Sequence, residues 1–261
     1  MPSFSANLNF LFNEVPFMDR FAAAAQAGFK YVEFMFPYDY DQQEIKQQLE
    51  ANNLKLVLCN LPAGNWGEGD RGLAADPARK EEFKKGVCQA IEAAHFLGVS
   101  RLNCLVGKVA GAYEEAEILD NILTNVCYAA DELHKAGLEL MVEPINHFDM
   151  PGFYLNTTAQ VVEIIKKAVR PNLYLQYDIY HAERESEDHE MILDHFFPYI
   201  GHVQVADNPG RNEPGTGVIN IKTLFDTLEQ KGYKGYIGME YKPTGQTLDS
   251  LSWVKEYGYS L

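Results

Sequence analysis

Apolar and polar positions follow two rhythms along this chain. Short runs rich in β-branched and aromatic residues read as strands: Phe4–Phe10, Tyr31–Phe36, Lys55–Leu61, Arg101–Leu105, Glu139–Glu143, Leu173–Asp178, His202–Ala206 and Tyr236–Glu240. Between them, apolar residues recur every three or four positions and predict helices over Pro16–Ala27, Gln43–Asn52, Pro77–Leu97, Ala116–Lys135, Ala159–Lys167, Glu187–His195, Ile221–Gln230 and Leu248–Val254. Gly28, Gly98, Gly137 and Gly232 each stand between a helix and the next strand, where glycine adopts a left-handed terminal conformation at least cost. Asn156 or Thr157 is the expected cap of the helix that carries Val161. Eight β–α units in unbroken order imply a parallel sheet, and eight favour a closed (β/α)8 barrel over an open doubly wound sheet. No repeat, low-complexity stretch or linker divides the chain, so residues 1–261 read as a single domain.

Four of the later strands end on a polar side chain: Glu143 in LELMVEPIN, Asp178 in LYLQYDIYH, Gln204 in IGHVQVAD and Glu240 in GYIGMEYKP. One such residue alone is an ordinary solvated loop position. In a barrel of parallel strands, however, these four ends converge on one face. Pro144 and Pro243 stiffen the backbone just after two of them. Three carboxylates and an amide oxygen form a hard ligand set suited to a divalent cation such as Mg²⁺ or Mn²⁺. A shared metal would also remove the cost of burying unpaired carboxylates together.

Other candidates cluster around these ends. His181, just past Asp178, is placed to donate to a substrate oxygen. The loop ADNPGRNEPGTG after the seventh strand carries Asp207, Arg211 and Glu213; the planar fork of Arg211 suits a substrate carboxylate. Lys108 after the fourth strand is a second cationic candidate. The glycine-rich loop from Asn60 to Arg79, with Trp66 and Arg71, is either a substrate cover or a plain connector. His202 precedes Gln204 by two and shares its face of the strand, either as a packed barrel residue or as part of the site. Glu33 is either an acid of the barrel core or a substrate contact. His95, His134, His147, His189 and His195 fall in helices or loops without a chemical context.

Composition narrows the function. A formal charge of −15 repels phosphate backbones and anionic lipid, so neither nucleic acid nor a membrane surface is an expected partner. No apolar stretch approaches the ~18 residues that span a bilayer. The N-terminus MPSFSANLNF lacks the charge and apolar run of an export signal. The four cysteines show no metal or redox spacing, as in a reduced, cytoplasmic protein. There is no GxGxxG or GxxxxGK[ST] nucleotide motif. A small-molecule substrate is expected, and a homo-oligomer is left open.

The segments NLPAGNWGEGDRG, LNCLVGK, VEPINHFDMPGF, QYDIYH, GHVQVADNPGRNEPGTGVIN and GMEYKP resemble the hydroxypyruvate isomerases of the xylose-isomerase-like barrel superfamily. The likeness runs from FSANLNFLF to the lysine and proline after Glu240. It implies a TIM barrel that interconverts hydroxypyruvate and tartronate semialdehyde, a step of glyoxylate metabolism. It places the proton-transferring pair on Glu143 and Glu240, the metal ligands on Glu143, Asp178, Gln204 and Glu240, and substrate contacts on His181 and Arg211. One departure stands out: related sugar epimerases carry histidine where this chain has Gln204. An amide oxygen holds transition metals less tightly than imidazole, so Mg²⁺, weak binding or no obligatory metal all stay open.

The implied reaction moves a carbonyl by one carbon through an ene-diolate, taking a proton from one carbon and returning it to its neighbour. One glutamate must therefore act as an acid near neutral pH, which requires a carboxyl raised by burial or by like charge. A longer sugar acid such as a 2-oxo-tetronate is the alternative substrate. A metal-dependent DNA-repair endonuclease of the same superfamily would need a histidine-rich multi-zinc site and a basic face, which the acidic composition opposes. A non-catalytic sugar-acid binder would not need two glutamates at one pocket.

Overall fold

Eight parallel strands close into a barrel in chain order: β1 Ser3–Asn7, β2 Tyr31–Glu33, β3 Lys55–Asn60, β4 Arg101–Cys104, β5 Glu139–Val142, β6 Leu173–Asp178, β7 Ile200–Val205 and β8 Tyr236–Met239. The computed structural model describes residues 2–109 and 111–261. Around the barrel lie α1 Arg20–Gln26, α2 Gln42–Ala51, α3 Lys80–Leu97, α4 Glu115–Lys135, α5 Thr158–Ala168, α6 Ile179–Arg184, α7 His189–His195, α8 Ile221–Gln230 and α9 Ser252–Glu256. The strand and helix sequence agrees with the expected (β/α)8 architecture.

The differences lie at element ends, and each has a local cause. Two expected helices open as single 3₁₀ turns, Phe17–Asp19 and Pro77–Arg79, before α1 and α3. Both follow or contain a proline, which lacks a donor and suits a tight first turn. The helix expected from Glu187 begins instead at His189, because the Asp188 side chain caps it by accepting from the backbone of Glu190 and Met191. Glu187 is used elsewhere, receiving the backbone N–H and hydroxyl of Thr158. The short α6 was not anticipated; it starts directly from β6 with Asp178 as its N-cap. Thr157, not Asn156, caps α5, in a reciprocal capping box with Gln160 that contributes about 1 kcal/mol.

Most apolar burial lies between the outer barrel surface and the helices, in one large cluster. Val57, Leu58 and Met141 form a second cluster with Tyr31, Tyr174 and Tyr236 packed against it. The centre of the barrel is polar. Ser5, Glu33, Gln176 and His202 are all buried there, and Glu33 is 0% exposed. Register explains the layering: Asn7 pairs with Glu33, Gln176 with His202, Asp178 with Gln204, and Gln204 with Gly238. A Cβ at Gly238 would lie 2.2 Å from Glu33 Oε1, so the glycine makes room for that carboxylate. Glu33 is thus an acid of the barrel core, receiving hydrogen bonds from Ser5 at 2.7 Å, His202 at 2.9 Å and Gln204 at 2.8 Å.

Candidate active site

The ends of the strands surround a cavity of about 130 Å³. Its polar lining includes Glu143, Gln176, His181, Gln204, Arg211 and Glu240; Phe34, Trp66, Leu105 and Met150 contribute apolar wall. Glu143 and Glu240 are the first residues past β5 and β8. The strand pairing fixes their depth, and each is gripped from below by amides.

Glu143 Oε2 accepts from Asn103 Nδ2 at 2.8 Å and from Gln176 Nε2 at 2.9 Å. Its Oε1 has no such donors and lies 4.0 Å from His181 Nε2. Burial first, then Glu240 and Asp178, hold the Glu143 carboxyl well above the usual carboxylate range. A proton on Glu143 therefore belongs on Oε1, the oxygen turned toward His181.

Glu240 has a different set of partners. Arg211 Nη2 donates to Oε1, while Asn7 at 2.8 Å and Gln204 at 2.6 Å donate to Oε2. Burial pushes this carboxyl up to about 8, with the Arg211 guanidinium working against that rise. The cation sits against Glu240 and not against Glu143, so a proton shared by the two glutamates prefers Glu143.

Asp178 is held as the cap of α6. Its Oδ1 accepts from Tyr180 N at 2.8 Å, and its Oδ2 lies 3.6 Å from both His181 Nε2 and Arg211 Nη2. Oδ2 is buried and has no hydrogen-bond partner among the described residues. Burial pushes the His181 pKa well below its usual value, and Arg211 adds to the effect, so the ring is neutral. Arg211 is sandwiched between Phe10 and Tyr180, with its guanidinium carbon 4.7 and 5.1 Å from their ring centres.

These residues can hold a metal in part. Glu143, Asp178 and His181 offer ligand atoms within 4.8 Å of one another. The orphaned, buried Oδ2 of Asp178 is the observation that best fits a cation. Gln204 is oriented otherwise. Its oxygen accepts from Gln176 at 2.7 Å, and its nitrogen faces Glu33 and Glu240.

The remaining candidates divide. Trp66 lines the cavity, and Arg71 stacks on it at 4.2 Å while donating to its backbone carbonyl. That loop reaches the cavity wall through Trp66. Gly72 bridges to Val106, and a Cβ on Gly72 would lie 2.0 Å from Leu105 O. Lys108 is half-buried in the next loop and is not among the lining side chains, which leaves Arg211 as the cation in that lining. Asp207 and Glu213 do not face the cavity as expected. Asp207 accepts from the backbone of Asn208, Gly215, Gly217 and Ile219, shaping its own loop. Glu213 ties that loop to Thr244.

The comparisons with known proteins agree with this fold. A family model described as the xylose isomerase-like TIM barrel matches residues 21–257. The chain belongs to that family. It is similar to hydroxypyruvate isomerase of Escherichia coli K12, 48% identical over 257 residues, covering 98% of this chain and 100% of the relative. It is also similar to 2-oxo-tetronate isomerase of Cupriavidus necator, 39% identical over 98% of this chain and 99% of that one. A crystal structure described as AP endonuclease, family 2 from Brucella melitensis superposes with a TM-score of 0.95 at 40% identity, covering 98% of this chain and 99% of the other. No helix among the described residues is long and apolar enough to cross a membrane.

Within this member of the xylose isomerase-like family, Asn7, Asn103, Asn146 and Gln176 are site residues that the sequence reading missed. Gln176 was within reach, since it stands two residues before Asp178 and so points to the same face of β6. Asn7 ends β1, and Asn103 stands between Leu102 and Cys104 in β4. Asn146, in the loop after β5, gave no signal of its own.

Proposed function

We propose that the protein interconverts hydroxypyruvate and 2-hydroxy-3-oxopropanoate (tartronate semialdehyde) by proton transfer through an ene-diolate. The observation that carries the reading is the unequal pair of buried glutamates. Of the two, Glu240, paired with Arg211, gives up its proton first and serves as the base, while Glu143, with no guanidinium against it, keeps its proton on Oε1 as the acid. His181 donates to the substrate oxygen where charge develops. Arg211, with an unpartnered Nε, receives the substrate carboxylate. Trp66 and Met150 help close the cavity from water.

Glu143 and Asp178 would hold a divalent cation, Mg²⁺ or Mn²⁺, with Glu240 and Gln204 completing the set once Gln204 turns its oxygen inward. When bound, such a cation polarises the substrate oxygens and offsets the carboxylate charge. The net charge of −15 opposes nucleic acid as a partner, and the keto acid, itself an anion, relies on Arg211 in the cavity.

The second reading is isomerisation of a 2-oxo-tetronate, supported by the Cupriavidus necator relative. The higher identity to the Escherichia coli hydroxypyruvate isomerase, 48% against 39%, favours the three-carbon substrate. The test is an NMR-followed panel of short keto and sugar acids, with and without EDTA. Turnover of hydroxypyruvate above the four-carbon acids supports the first reading, and the reverse order replaces it with the second.

A further inference from the structure

The imidazole of His181 has its orientation and tautomer set by a neighbour outside the carboxylate cluster. Asn146 is 0% exposed and lies in the loop after β5. Its Nδ2 is 2.6 Å from His181 Nδ1, and its backbone N–H points at the same ring nitrogen from 3.4 Å. Which end of the Asn146 amide carries nitrogen follows from contacts that do not involve the histidine. Its Oδ1 accepts the backbone N–H of Asp149 at 2.8 Å, and its Nδ2 faces Asp149 Oδ2 at 3.3 Å. Turning the amide over would set oxygen against carboxylate and nitrogen against an N–H donor. Asp149 is itself fixed by the Tyr180 hydroxyl at 2.8 Å.

Nδ1 of His181 therefore meets two donors and must be the acceptor, which leaves the proton on Nε2. Nε2 is the nitrogen that faces Asp178, Glu143 and Arg211. We propose that Asn146 is a positioning residue that locks His181 as a neutral Nε2–H donor aimed at the reacting oxygen. In that state His181 offers the site a proton and not a lone pair, so it acts as an electrophile and not as a metal ligand. The catalytic part of this inference rests on the reading of His181 as the substrate-oxygen donor; the tautomer lock does not.

The test is ¹⁵N NMR of the imidazole in the full-length protein, treated with EDTA, for the wild type, Asn146→Asp and Asn146→Ala, alongside steady-state kinetics. In the wild type the His181 nitrogens should report a proton on Nε2. Asn146→Asp offers an acceptor where the amide offered a donor, so the proton should move to Nδ1. Asn146→Ala leaves only the longer backbone contact and should give a mixture of the two forms. With the tautomer reversed, kcat for hydroxypyruvate should fall roughly hundredfold to thousandfold, the scale of losing one donor to a developing oxyanion, with KM changing much less. Asn146→Ala should fall between the wild type and the aspartate variant. A wild-type proton on Nδ1, or a tautomer indifferent to both substitutions, overturns the lock. A tautomer that switches as stated while kcat is unchanged leaves the lock standing and removes the catalytic role given to His181.

Discussion

Gln176 and Gln204 face each other from β6 and β7, and the nitrogen of the first donates to the oxygen of the second at 2.7 Å. Each amide has one orientation because carboxylates sit at both ends of the chain. Gln176 also donates to Glu143, and the nitrogen of Gln204 donates to Glu33 and Glu240. The two glutamates at the cavity are thus braced by one run of hydrogen bonds through the barrel interior. A cation that recruits the oxygen of Gln204 has to break that run, a cost that adds to the weakness of an amide as a ligand.

Replacing Gln204 by leucine should remove the donors to Glu33 and Glu240 and leave a Gln176 N–H unpaired. A loss of about 2–4 kcal/mol is expected from stranding buried polar groups. Thermal melting should show Tm lowered by roughly 2–4 °C per kcal/mol for a chain of this size. An unchanged Tm would mean that the amide chain does not support the barrel.

Glu143→Gln and Glu240→Gln should each lower kcat by ~10²-fold or more while the far-ultraviolet circular dichroism stays native. The amides keep the size and most of the hydrogen bonds of the acids but cannot exchange a proton. Near-native kcat in either variant would remove the two-carboxylate mechanism.

Arg211→Lys should raise KM for hydroxypyruvate. Lysine keeps the charge but loses the fork that reaches Glu240 and still leaves Nε free for a carboxylate. It also loses the stacking between Phe10 and Tyr180. A drop of roughly ten- to hundredfold in kcat/KM is expected from one charge-assisted contact. Unchanged KM would place the substrate carboxylate elsewhere.

Glu143 also predicts a pH-dependent stability. Its carboxyl is raised in the folded protein by burial and by Glu240 and Asp178, whereas in the unfolded chain it titrates near ~4.3. Above that value the folded state binds the extra proton, so its stabilising effect is present at low pH and is lost as pH rises through the folded value. Glu143→Gln removes this dependence. In EDTA the variant should melt above the wild type at pH 8, with the gap shrinking toward pH 4. A gap that is constant with pH would mean that folding does not shift the Glu143 carboxyl.

The barrel was legible in the sequence because each strand and helix announces itself by period, and chain order does the rest. The site was legible where a side chain ends a strand, as at Glu143, Asp178, Gln204 and Glu240. What stayed hidden depends on pairings distant in sequence. Glu33 became a core acid only through His202 and Gln204, which reach it from β7. Asp207, placed in the right loop, turns back on its own backbone, and no spacing rule distinguishes that from facing the cavity. The helix after Asp178 is short, and its cap is the residue read as the end of the strand, so the helix stayed hidden although the site carboxylate did not.

Isomerisation should proceed by proton transfer and not by hydride shift. A hydride path needs strong polarisation of both oxygens by metal, and among the described residues Glu143, Asp178, Glu240 and Gln204 would make a single four-ligand set. The residues that would hold a second metal are committed elsewhere, Asp207 and Glu213 to their own loop. By contrast, Glu240, the readier of the two to lose its proton, and Glu143, the one that retains it, line one cavity, so a proton can leave one carbon and another can arrive at its neighbour. Because these protons come from different carboxyls, the second is drawn from a group in exchange with water. Run in D₂O, the reaction should place solvent deuterium on the product carbon, detected by ¹H NMR as loss of the corresponding signal. The exchange should disappear together with turnover in Glu143→Gln. Full turnover with no deuterium in the product would leave hydride shift or a single shielded carboxyl as the carrier, and the separate acid and base roles would be withdrawn.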